Sequence, residues 1–110
     1  MNLPRTALAS EHCVADAPAL DATAIDALRP GSAGWAIADG TLTRHFDFPD
    51  FHHTMAFVNA VAWIANREDH HPDLAVSYDH CDVAWSTHSA GGLTRNDFIC
   101  AARVEALVAA

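Results

Sequence analysis

Two different periods of apolar residues run along this chain. Trp35 and Ile37 alternate with small neighbours, and Leu42, Phe46 and Phe48 fall at even spacings after them. Asp39-Gly40 lies between the two runs, a pair suited to the positive backbone angles of a tight turn, so the segment predicts a β-hairpin. From about Asp50 to Glu68 the spacing changes to three and four. Phe51, Met55, Val58 and Ala62 form one stripe, and Phe57, Val61 and Ile64 form another beside it. Only His52, Asn59 and Asn66 are left for a polar face. A helix lying on one sheet needs a single stripe, so the second is expected to meet another helix, including one from a second subunit.

Pro72 is expected to close that helix. A second hairpin follows, with Leu74, Val76 and Tyr78 alternating outward and Val83, Trp85 and Thr87 returning. The last segment predicts a helix capped by Thr94, with Asp97 three residues on in a capping-box arrangement. Phe98, Ala102 and Glu105 mark one side of it, and Ile99, Ala106 and Leu107 are expected nearer the core. Upstream, Asp21 can cap a short helix with Ile25 and Leu28 on its apolar edge, ended by Pro30-Gly31. Residues 1–18 are Ala-rich, contain Pro4 and Pro18 and show no period; they are read as a loosely structured leader before a single domain at 19–110. Helix, two strands, long helix, two strands, helix predicts an α+β two-layer sandwich, a four-stranded antiparallel sheet with helices on one face.

Composition narrows the function classes. The chain has 110 residues, enough for one hydrophobic core, and its formal charge of −8 argues against a nucleic-acid partner. No run approaches the roughly 20 apolar residues of a membrane span. The N-terminus makes a poor signal peptide. Cys13, Cys81 and Cys100 lack CxxC spacing and read as free thiols of a reducing, cytoplasmic compartment.

Candidate chemistry centres on histidine, of which there are eight. His70 and His71 stand at the end of the long helix, where unpaired carbonyls favour an imidazolium. His88 ends the last strand, and the hairpin connection returns it to the same sheet edge. Imidazoles there could take and give protons near neutral pH; equally, each could be a polar helix or strand end, and residue types alone specify only a histidine-lined edge. No metal is expected: on a helix His70 and His71 would point about 100° apart, His52-His53 lie a helix length away, and HExxH or Cys–His spacing is missing. No GxSxG is present, Cys81 and Cys100 have no motif around them, and Gly91-Gly92 is too short for a phosphate loop.

The spacing "HHP" at 70–72, Tyr78, His88, "GL" at 92–93 and Asp97 resembles the signature of the pterin-4a-carbinolamine dehydratases. The resemblance extends over about residues 30–108 and includes "GW" at 34–35, the Phe46 and Phe48 stretch and "STH" at 86–88. It implies dehydration of a 4a-hydroxytetrahydropterin to the quinonoid dihydropterin, with no bound cofactor. His70, His71 and His88 match the family's active-site histidines and Asp97 its acid. His70 and His88 are the expected proton-transfer pair, His71 mainly binds the pterin, and Asp97 orients an imidazole. Asn66, Pro72, Ser86 and Thr87 are the further expected substrate contacts. A homodimer or homotetramer and an aromatic amino-acid hydroxylase partner are also implied. Two departures stand out: Asn66 replaces a residue often charged or His, and Leu74 replaces an aromatic. The family also includes protein-binding and assembly modules, such as a dimerisation cofactor of a transcription factor, and these form the alternative reading.

Overall fold

The computed structural model describes residues 8–109. Helix α1 spans Ala22–Leu28 and runs into a 3₁₀ turn, Arg29–Ser32. Strands β1 (Ala36–Ala38) and β2 (Thr41–Asp47) precede the long helix α2 (Phe51–Glu68). Strands β3 (Asp73–Val76) and β4 (His80–Trp85) lead through a short turn to α3 (Arg95–Val108). The four strands form one antiparallel sheet in the order β1-β2-β4-β3. This is the α+β two-layer architecture that the alternating periods predict.

Local chemistry accounts for each boundary. Asp39 and Gly40 both take positive φ, 53° and 70°, as a two-residue hairpin turn requires. Asp21 and Asp50 cap α1 and α2 by accepting the N–H groups of Ala24 and His53. The stop of α2 differs from the expected one. Asp69 adopts a left-handed conformation (φ 51°, ψ 43°), and its N–H and that of His70 both reach the Ala65 carbonyl. The helix therefore ends before Pro72 is reached, because Asp is among the few residues that tolerate this conformation. The second hairpin is also shorter than expected. β3 ends at Val76, and Tyr78 stands exposed in the turn, stacked 6.4 Å from Phe51.

Alternation then sorts the sheet faces. Leu42, Phe46, Cys81, Val83 and Trp85 point under the helices and are almost fully buried. Thr43, His45 and Asp82 lie on the other face, where Asp47 and Asp82 each accept from a ring nitrogen of His45 at 2.8 and 2.6 Å. Asp47 first, then Asp82, raises the His45 pKa above its ordinary value.

On α2 it is Phe57, Val61 and Ile64 that enter the protein's own core, with Val61 completely buried. The second stripe meets another helix as expected, and that helix is α3 of the same chain; Phe51 and Ala62 of the other stripe face outward, and Met55 and Val58 are half-buried. A sheet face plus α3 wraps around α2, so one helix buries a wider arc than a lone sheet would cover. On α3 the expected sides are also corrected. Ile99 is buried as predicted, but Ala106 and Leu107 are exposed while Glu105 is buried. Glu105 enters the core because it has partners there: it accepts from Trp35 Nε1 at 3.1 Å and pairs with Arg44. Glu105→Ala would strand the Arg44 guanidinium and the Trp35 N–H. We expect it to remove about 3–5 kcal/mol of stability, readable by urea denaturation.

Residues 11–14, inside the segment expected to be loose, are held against α2 and α3. Glu11 takes both ends of the Arg95 guanidinium at 2.8 and 2.7 Å, and Val14 and Asn96 exchange two hydrogen bonds. Glu68 accepts from Cys13 N–H at 2.7 Å and meets His12 at 2.9 Å. Burial pushes the Glu68 carboxyl up, but Cys13 N–H, His12 and Arg103 outweigh it and hold the pKa below the usual range. The Cys13 and Cys100 thiols lie 3.5 Å apart; their hydrogen bond, then burial, raises the Cys100 pKa. Such polar anchors leave no hydrophobic period, which is why the segment reads as loose. No helix among the described residues is long and apolar enough to cross a membrane.

Candidate active site

Past the left-handed turn at Asp69 the chain is no longer helical, and the two imidazoles differ in exposure. His70 turns inward and His71 outward. The expected separation of about 100° on a helix is thereby corrected. His70 is only 13% exposed, and its ring stacks on Trp85 with centroids 5.5 Å apart and planes 19° from parallel.

His70 Nε2 lies 2.6 Å from Oδ1 of Asp97, whose side chain is fully buried. The other oxygen, Oδ2, accepts from the Thr87 hydroxyl at 2.8 Å and the Thr94 N–H at 3.0 Å. Thr94 and Thr87 hydroxyls are themselves 3.0 Å apart. Since Thr87 donates its proton to Asp97, the Thr94 hydroxyl donates to Thr87. A carboxylate can only accept, so His70 donates through Nε2, leaving Nδ1 as the nitrogen able to exchange a proton. Asp97 is thus both the capping-box acid of α3 and the orienting group for His70.

The remaining expected residues form two smaller pairs. His71 Nε2 meets Asn66 Oδ1 at 3.1 Å on the surface. Ser86 Oγ lies 3.4 Å from His88 Nε2. A polar cavity of about 180 Å³ is lined by Asp39, Gly40, Ser86, Thr87, His88, Gly91 and Gly92. Thr87 joins this cavity to the Asp97–His70 pair; His71, Asn66 and Pro72 are not among its lining residues. A larger cavity of about 430 Å³ lies between α2 and α3, lined by Ala60, Trp63, Ile64, Arg103 and Leu107 among others. Its lining offers one guanidinium and no imidazole or carboxylate, whereas the smaller cavity has His88 and Asp39 on its walls, with His70 and Asp97 behind Thr87.

Sequence reasoning missed Trp85 as the support of His70, Thr94 as a member of the hydrogen-bond chain, and Asp39 as a cavity wall. Trp85 and Thr94 carry ordinary signals, a strand alternation and a helix cap. No pattern could show that the one stacks on His70 while the other meets the Asp97 carboxylate.

Comparison with known proteins gives the family and the fold. The family model for pterin 4 alpha carbinolamine dehydratase matches residues 18–107. The chain belongs to the pterin-4α-carbinolamine dehydratase family. A relative from Nitrosomonas europaea, provisionally named as such a dehydratase, is 57% identical over 74 residues, covering 67% of this chain and 66% of the relative. One from Xanthomonas oryzae pv. oryzae, named in the same way, is 58% identical over 82 residues, covering 73% and 70%. The matched segment thus spans about two thirds of the length of these dehydratase-family relatives. Among solved structures, a transcriptional coactivator/pterin dehydratase from Brucella melitensis superposes with a TM-score of 0.76 at 31% identity, covering 81% of this chain and 97% of that one.

Proposed function

We propose that this protein dehydrates a 4a-hydroxytetrahydropterin to the quinonoid dihydropterin, releasing water. The observation that carries the reading is the Asp97–His70 pair: an imidazole fixed at one nitrogen by a buried carboxylate, on the edge that also bears His88. Loss of hydroxide from C4a needs a proton donor at the departing oxygen. Formation of the new double bond needs an acceptor for a ring N–H proton. His70 and His88 are the pair assigned to these transfers. His71, steadied by Asn66, binds the pterin, together with Ser86 and Pro72. The Thr87 hydroxyl is committed to Asp97 and its carbonyl accepts from Ala90 N–H, which makes it a positioning group on the cavity wall. Cytoplasmic location, self-association as a dimer or tetramer and a hydroxylase as the source of substrate belong to the same reading. Exposed Phe51, Trp63 and Leu107 support the self-association.

The test is the dehydration rate of freshly generated 4a-hydroxytetrahydropterin, followed by ultraviolet absorbance with and without protein. General acid–base groups of this kind contribute roughly 10²–10⁴-fold, so a clear excess over the spontaneous rate is expected. A folded protein giving no excess would favour the second reading, a protein-binding module that uses the apolar cavity between α2 and α3.

A further inference from the structure

We propose that Asp39, in the β1–β2 turn, is a specificity residue that holds the amino-pyrimidine edge of the pterin. The inference deepens the dehydratase reading and rests on it. Asp39 lines the same 180 Å³ cavity as His88, Ser86 and Thr87, although it lies about fifty residues away in sequence. That volume falls below the roughly 300–1,000 Å³ of pockets for drug-sized ligands and suits the pyrimidine end of a flat ring system, whose reacting end would lie toward His70 and His71 outside it.

The walls fit such a ring. Gly40, Gly91 and Gly92 contribute backbone without side chains, and a Cβ on Gly40 would lie 4.0 Å from Gly92 Cα. The hairpin turn and the loop after β4 therefore approach closely enough to bound a slot. Asp39 provides the carboxylate of this cavity. The Asp39 side chain makes no hydrogen bond or ion pair among the described residues; its backbone carbonyl alone accepts, from Thr41 at 3.5 Å. Asp47, Asp50, Asp79 and Asp82, by contrast, each contact a histidine.

The chemistry of the ligand matches this group. A pterin presents N3–H and the 2-amino N–H side by side, two parallel donors facing the same way. A carboxylate presents two acceptors at a complementary spacing, and paired bonds to an ionised group are both strong and directional. Imidazole at His88 and carboxylate at Asp39 would then serve different parts of one ring system: proton transfer at the reacting side, and recognition at the pyrimidine side.

The experiment compares binding of 7,8-dihydropterin and of the matching dihydrolumazine, in which a carbonyl oxygen replaces the 2-amino group, to wild type and Asp39→Asn. Calorimetry at fixed pH gives all four affinities. Asn tolerates the left-handed turn as readily as Asp, so the variant keeps the hairpin. Its amide offers one donor and one acceptor, the pattern that complements the lumazine edge. Wild type should prefer the pterin by about tenfold or more. Asp39→Asn should weaken the pterin by a similar factor and strengthen the lumazine, abolishing or inverting the preference. Unchanged selectivity in Asp39→Asn, with the pterin still binding wild type, would overturn the role of Asp39 and leave the dehydratase reading intact. Wild type that binds neither ring would overturn both.

Discussion

His70→Ala is expected to lower the dehydration rate by at least about a hundredfold, the lower end of what a positioned acid–base group contributes. The geometry explains the size of the expected loss. Asp97 fixes one ring nitrogen at 2.6 Å and Trp85 fixes the ring plane, so the proton-exchanging nitrogen has one orientation. Water entering the vacated space would have neither an imidazole's basicity near neutral pH nor its placement. Truncation also deprives a buried carboxylate of one of its donors, and a loss of about 1–3 kcal/mol in stability is expected alongside. His70→Gln separates the two effects: its amide can still donate to Asp97, yet it cannot carry a proton near neutral pH. Both variants should remain folded by circular dichroism and both should be slow. A wild-type rate in His70→Gln would make His70 a structural residue and remove it from the chemistry.

The second large effect is on folding. Val61→Glu is expected to unfold the domain, whereas Ala62→Glu, one residue further along α2, should change stability by about 0.5 kcal/mol or less. Val61 is fully buried within the hydrophobic cluster formed by the sheet, α2 and α3. An uncompensated buried charge costs about 3–5 kcal/mol, a large part of the roughly 5–15 kcal/mol that stabilises a domain. Ala62 faces solvent. Thermal unfolding followed by circular dichroism distinguishes the two. If Val61→Glu melted like wild type and merely sedimented as a smaller species, the inward stripe assigned here would be wrong, and Val61 would belong to an interface between copies.

That contrast also shows where sequence reasoning stopped. Both stripes of α2 were visible as spacings of three and four, but nothing in a spacing says which stripe is covered by the same chain. The answer depends on α3, more than thirty residues away, laying Phe98, Ala101 and Ala102 beside it. Glu105 was hidden for a related reason. A carboxylate reads as surface until Trp35 and Arg44 are known to converge on it. Tyr78, read as a strand position, lies in a turn because pairing with β4 runs out at Val76 and Cys81.

Short-range chemistry was legible. Asp39-Gly40, the caps at Asp21 and Thr94, and the two apolar periods set the order of elements, since turns, caps and periodicity act over a few residues. The sheet layer and the set of histidines worth testing followed from them. The division of labour at the site did not. His70 and Asp97 stand 27 residues apart, Thr87 lies ten from Asp97, and Asp39 is further still. Whether one imidazole turns in and its neighbour out depends on a single left-handed residue at Asp69, and which oxygen meets which nitrogen depends on how β4 and α3 pack. Hydrogen bonds act over about 3 Å, so they become defined once folding has brought these distant segments together.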